Sequence, residues 1–301
     1  MHTIHFDKMH GLGNDFVIID ERRVPMQIVE QDQRTHEVRA IADRKRGVGC
    51  DQLIVLRPSV RADAYMQIYN ADGSEVAACG NASRCVGWLM MREGRKDSAL
   101  IETEAGLLEC RLEPTGQVRV NMGYPLLAWQ EIPLAEEQDT YCLETAWEDT
   151  RAVGSSGARG EEAYALIQPV AVNMGNPHIV FFVDNVGRIP LKTAGPLLEH
   201  DALFPQRVNV NVAQIDSPTH ITMRTWERGA GETLACGTGA CATVVAARRR
   251  GLVEPEVTVQ LPGGELMIRW SGTEEDRAHD VWMTGSVAHS FSGTLPGQAW
   301  V

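Results

Sequence analysis

The 301-residue sequence predicts an α/β protein built from two copies of one domain, each a β-sheet curled around a single buried helix. Three observations carry that reading. A cysteine-containing turn that leads into an apolar helix occurs twice, about half a chain apart. Two further pairs of segments match at nearly the same offset. The other apolar segments in each half have the length and bounding residues of short strands.

The turn ACGTGAC, residues 235–241, sets Cys236 and Cys241 on either side of Gly-Thr-Gly, and ATVVAA follows before Arg248, Arg249, Arg250 and Gly251. Apolar residues, then cations, then glycine describe a helix read from its first turn to its stop. Cys236 falls at or just before the N-terminus, where free backbone N–H groups and a partial positive charge favour a thiolate and can hold a carboxylate. AACGNAS, residues 77–83, repeats the pattern ahead of Arg84, Cys85 and VGWLMM, so Cys79-Gly80-Asn81 matches Cys236-Gly237-Thr238 157 residues later. The same offset pairs Asn70 with Glu227 and Glu75 with Glu232. Upstream, GNDFVIID (13–20) matches GNPHIVFFVD (175–184); downstream, Gly106 and Arg111 match Gly264 and Arg269. Collinear matches of this kind imply duplication of a domain of ordinary size.

Within the first copy, FVIID, DQLIVL, AYMQIY, ALIETE and QVRVNM read as strands; within the second, HIVFFVD, ITMRTW, VTVQL and ELMIRW do. The two helices after the cysteines are the most apolar in their halves, as a helix enclosed by a sheet would be. Residues 144–163, rich in Gly, Ser and charge, read as a mobile surface loop. The expected domains are 1–126, completed by 286–301, and 127–285.

Composition narrows the function classes. A net charge of −12 with only one short basic run, Arg248 to Arg250, argues against nucleic acid as a partner, and that run reads as a solvated helix end. The first residues contain no apolar core of signal-peptide length, and no apolar run spans a bilayer, which predicts a soluble, cytoplasmic protein. Seven cysteines at irregular spacing, none in a C-x-x-C pair, predict free thiols and no metal site.

The segments HGLGNDF, GCDQ, NADGSEVAACGN, GNPH and ERGAGETLACGTGACA, in that order, resemble the diaminopimelate epimerase family over residues 8 to 285. The resemblance implies two similar domains, each a mixed sheet about a central helix, with the active site in the cleft between them. It implies reversible conversion of LL-diaminopimelate to the meso form without a cofactor, by a homodimer serving lysine and peptidoglycan precursor synthesis. It assigns Cys79 and Cys236 as acid and base, with His178 and Glu227 assisting proton transfer. Asn14, Gln52, Asn70, Asn176, Asn209, Glu227 and Arg228 align with the family's substrate contacts. One departure is visible: CGNAS carries Ala82 where the family commonly has Gly, and Ala would be strained there if the turn needed positive φ.

The chemistry accounts for a duplicated thiol. Inverting a carbon next to a carboxylate takes a base on one face and an acid on the other, and two equivalent helix N-termini can supply one each. The backbone N–H groups of Gly80, Asn81, Gly237 and Thr238 suit the charge that develops on the carboxylate. Arg228 suits a distal carboxylate, because its planar fork can bind both oxygens. Cys85 and Cys241 lie one turn further in and are assigned to packing; Cys50, Cys110 and Cys142 have no counterpart in the repeat and are assigned structural roles. A proline-type racemase, a phenazine-type isomerase and a non-enzymatic thiol redox or metal-binding protein are the competing readings.

Overall fold

The computed structural model describes residues 3–23, 31–76, 79–148 and 165–296. The chain divides into two compact units, Met1–Asn121 with Thr284–Val301, and Met122–Met283. The chain passes between them at 121/122 and 283/284, a few residues before the breaks at 126/127 and 285/286 expected from the sequence.

In the first unit the order is β1 (Thr3–Gly11), β2 (Asn14–Asp20), α1 (Gln31–Ala42), β3 (Gln52–Arg57), β4 (Ala64–Asn70), β5 (Glu75–Val76), α2 (Gly80–Gly94), β6 (Ser98–Thr103), β7 (Gly106–Leu112) and β8 (Val118–Asn121). The second holds β9 (Trp147–Glu148), β10 (Ala165–Leu166), β11 (Val170–Asn173), β12 (Pro177–Phe182), α3 (Leu191–Glu199), β13 (Asn209–Ser217), β14 (His220–Glu227), β15 (Gly231–Thr233), α4 (Gly237–Arg249), β16 (Glu256–Leu261) and β17 (Gly264–Arg269). After β18 (Trp282–Gly285), β19 (Ala288–Pro296) pairs antiparallel with β1, closing the first unit with the C-terminal segment.

The sheets are mixed, and the repeat extends to strand pairing. In the first unit β2 pairs parallel with β3, which pairs antiparallel with β4. In the second, β12 pairs parallel with β13, which pairs antiparallel with β14. Phe16 stands beside Gln52 as His178 stands beside Asn209. Every strand read from the sequence is present. The ten other described strands, β1, β7 and β13 among them, and the helices α1 and α3 are additional; a half-exposed strand such as β7, with only Cys110 fully buried, shows weak alternation.

Helices α2 and α4 are the buried centres. Nearly all of α4 from Gly239 to Ala247 is inaccessible, and α2 buries Gly80 to Gly87, Met90 and Met91. Cys85 and Cys241 are fully buried, in keeping with packing roles, and all seven cysteines are free thiols. Gly87 brings α2 close against β7: a Cβ there would lie 2.6 Å from the Cys110 Cβ and 2.7 Å from its Sγ. Gly87→Ala is therefore expected to destabilise the protein by about 1–3 kcal/mol, through displacement of β7. The readout is a lower denaturant midpoint at unchanged m-value.

Two expectations are corrected. The Arg248–Arg250 run is not a solvated helix end. Arg249 is buried, pairs with Glu274 and donates to the carbonyls of Thr140 and Ala171. Arg250 donates to Gln168 O at 2.6 Å and lies over the Phe182 ring, and Arg248 donates to Val253 O. Guanidinium groups bind several carbonyls at once, so cations at a helix end can serve as staples to surrounding loops. Of the loop expected at 144–163, residues 149–163 lie outside the described residues, while Trp147 and Glu148 form β9, paired with β10. No described helix is long and apolar enough to cross a membrane.

Candidate active site

Cys79 and Cys236 each stand immediately before the first turn of their helices, with extended backbone at φ −147° and −123°. The Ser83 N–H donates to Cys79 O and the Ala240 N–H to Cys236 O, so the N–H groups of Gly80, Asn81, Gly237 and Thr238 lie ahead of the helical ladder. No acidic residue occupies either first turn, while the last turns carry Arg92 and Arg248 with Arg249. Ala82 falls inside the first turn of α2, fully buried, and is not among the positive-φ residues, so the strain considered for it does not arise. At the equivalent Gly239 a Cβ would sit 2.7 Å from Asn211 Oδ1 and 3.2 Å from Cys236 Sγ, which is why that copy needs glycine.

The two thiols have different surroundings. Cys236 Sγ accepts the Gly239 N–H at 3.3 Å and lies 3.6 Å from Thr238 Oγ1. Burial, and after it the Glu227 charge, pushes its pKa well above the ordinary thiol value. The sequence led to the opposite expectation; desolvation outweighs the helix's partial charge, which is only about half a unit. Glu227 is itself raised by burial, while Thr233 Oγ1 and Cys236 donate to its carboxylate. Cys79 is less enclosed, and its Sγ faces Asn14 Oδ1 at 4.0 Å.

In the first unit, Asn14 opens β2 and is held from both ends. Its Nδ2 donates to Asp51 Oδ2 at 3.1 Å, and its Oδ1 receives Asn81 Nδ2 at 3.4 Å. Arg44 bridges Asp15 and Asp51, and Lys8 pairs with Asp15, whose carboxyl is held well below its usual range by these partners against the penalty of burial. Asn81 is held in turn by Arg84, whose Nη2 donates to its Oδ1 at 2.9 Å from a fully buried position. Gln52 and Asn70 stand opposite each other on β3 and β4, joined by a 3.1 Å bond from Gln52 Nε2 to Asn70 Oδ1. The buried Gln52 Oε1 has no partner among the described residues, which leaves an acceptor for a ligand ammonium.

In the second unit, His178 at the start of β12 is fully buried, and burial with the nearby Arg228 charge lowers its pKa to about 3. Its Nε2 lies 2.9 Å from Asn176 Oδ1. Asn209 is a brace: its Nδ2 donates to Pro177 O and its Oδ1 accepts the Arg228 N–H, both at 2.9 Å, leaving one N–H for a ligand. Arg228 Nη1 donates to Gln206 O; no carboxylate pairs with it among the described residues, so its fork retains donors for one. Buried Glu199 fixes the turn that carries Glu227 and Arg228, accepting from Trp226 Nε1 at 2.7 Å and from the Gly229 N–H at 3.0 Å.

The candidate residues thus fall into two clusters, one in each unit. Asn14, Gln52, Asn70, Cys79, Gly80 and Asn81 belong to the first; Asn176, His178, Asn209, Glu227, Arg228, Cys236, Gly237 and Thr238 belong to the second. Sequence reasoning missed the supporting residues Asp51, Arg84, Glu199, Asn211 and Thr233. Asp51 adjoins Gln52 in GCDQ, and Asn211 sits two residues from Asn209 on the same strand face; polar residues at inward positions were the available signal.

Two α/β units, each presenting a thiol at the N-terminus of its central helix, define the fold and the candidate site. Solved structures of that fold include a probable proline racemase from Agrobacterium radiobacter (TM-score 0.66, 18% identity, 98% of this chain and 93% of that one) and a PhzF-family phenazine biosynthesis protein from Bacillus anthracis (0.66, 16%, 98% and 100%). The family model described as Diaminopimelate epimerase matches residues 6–127 and 170–290. The diaminopimelate epimerase of Rhizorhabdus wittichii is 50% identical over 290 residues, covering 96% of this chain and 94% of that protein. That of Rhodospirillum centenum is 48% identical, with 96% and 91% covered. The chain belongs to the diaminopimelate epimerase family.

Proposed function

We propose that the protein interconverts LL- and meso-diaminopimelate by a 1,1-proton transfer in which Cys79 and Cys236 serve opposite faces of the substrate α-carbon. The observation that carries this reading is the occurrence of equivalent thiols ahead of equivalent helix N-termini, one in each unit, in a chain half identical to named diaminopimelate epimerases. One sulfur, as thiolate, takes the α-proton; the other, as thiol, delivers a proton to the opposite face, and the roles reverse for the reverse reaction. Charge gathering on the α-carboxylate is met by the N–H groups of Gly80, Asn81, Gly237 and Thr238.

Glu227, hydrogen-bonded to Cys236, accepts its proton, and His178 assists transfer. Gln52 Oε1 and the amides of Asn14, Asn70, Asn176 and Asn209 hold the amino and carboxylate groups, and Arg228 takes the distal carboxylate. The family match and Arg228 favour this over the proline-type reading, since proline carries no second carboxylate. The enzyme works without a cofactor, in the cytoplasm, as a homodimer, supplying lysine and peptidoglycan precursors.

The test is incubation with LL-diaminopimelate in D₂O and chiral separation of the products. Two residues on opposite faces, with thiol protons exchanging between turnovers, place deuterium at Cα of the product well before it enters the remaining substrate. No meso isomer would overturn the substrate assignment; equal early labelling of substrate and product would overturn the two-thiol mechanism.

A further inference from the structure

Asn211 lies on β13, fully buried, opposite Thr225 on β14 and one strand from His178. Its side chain is bonded on every side. Nδ2 is 3.1 Å from Ile179 O and 3.2 Å from His178 Nδ1, and Oδ1 is 3.0 Å from Thr225 Oγ1. A backbone carbonyl only accepts, so the amide atom facing Ile179 O is the nitrogen. Its two hydrogens then serve Ile179 O and His178 Nδ1, and the hydroxyl of Thr225 donates to the oxygen. A flipped amide would set two oxygens against each other at Ile179.

This arrangement dictates the state of the ring. Nδ1 accepts a hydrogen bond and therefore carries a lone pair, so the single proton of an uncharged imidazole resides on Nε2, where Asn176 Oδ1 receives it at 2.9 Å. We propose that Asn211 is a positioning residue that fixes His178 as the Nε2–H tautomer, so that the ring offers a hydrogen-bond donor, not a base, to the reaction. The proposal rests on the reading of the protein as an epimerase and specifies one of its residues. In this role His178 Nε2–H stabilises negative charge on a thiolate or carboxylate during proton transfer and then returns to Asn176. The repeat shows that the device is particular to one half: Phe16 occupies the place of His178 and Ile54 that of Asn211.

The tautomer can be read without substrate, which separates this proposal from the assignment of diaminopimelate. In the full-length protein labelled with ¹⁵N-histidine, the His178 signals are identified by their loss in His178→Gln. They should show a protonated-type shift at Nε2 and an unprotonated-type shift at Nδ1. The reverse pattern overturns the proposal. Asn211→Asp presents an acceptor to Nδ1 and should move the proton there, with kcat lowered about 10²-fold and KM changed less than about twofold. An Asp variant that keeps the Nε2–H pattern, or that changes the pattern at undiminished kcat, also overturns it. If that variant does not fold, the wild-type spectrum decides alone.

Discussion

Replacing either Cys79 or Cys236 by alanine is expected to abolish epimerisation, with the rate falling by at least about 10²–10⁴-fold, while the protein remains folded. Each thiol is the only group proposed to move a proton on its face of the α-carbon, so neither substitutes for the other. The structural cost is unequal. Cys236→Ala loses the bond from the Gly239 N–H, a cap contribution of about 0.5–2 kcal/mol, whereas the Cys79 side chain makes no capping bond. Rate measurements with chiral product analysis, alongside thermal unfolding of both variants, check this. Turnover within tenfold of wild type in either variant would count against the pair.

Glu227→Gln is expected to have two effects of opposite sign. The Glu227 charge contributes to the high pKa of Cys236, so its removal makes that thiol more acidic and speeds alkylation of Cys236 at fixed pH. The same change removes the group proposed to accept the thiol's proton, so kcat is expected to fall by about 10²–10⁴-fold. Both are read on one preparation, alkylation by peptide mapping and turnover by chiral separation. A purely structural role for Glu227 predicts that reactivity and turnover move together; slower alkylation or unimpaired turnover would defeat the assignment.

Nine of the nineteen described strands were legible because their apolar residues alternate or run together between Gly, Pro, Asn and Asp, and the two central helices because each carries a long apolar run suited to enclosure. β7 and β1 were not, since half-exposed strands carry little pattern. Among site residues, those repeated between the halves stood out: Cys79 with Cys236, Asn70 with Glu227, and Asn14 with Asn176. The residues that hold them did not. Asn211 and Glu199 act through bonds to residues 33 and 27 to 30 positions away, and Arg84 sits where the other copy has Cys241, so neither local pattern nor the repeat marks them.

The sequence by itself determined the duplication, the placement of a thiol at each helix N-terminus and the family, because each is written in short contiguous stretches whose local physics is set by neighbours. Only the tertiary structure decided the chemical state of those groups. Burial lifts the Cys236 thiol against the helix's own partial charge, keeps His178 uncharged, and turns the Arg248–Arg250 run from an exposed helix end into a set of carbonyl staples. Desolvation depends on every atom that excludes water from a site, and those atoms are gathered from strands and helices far apart in the chain.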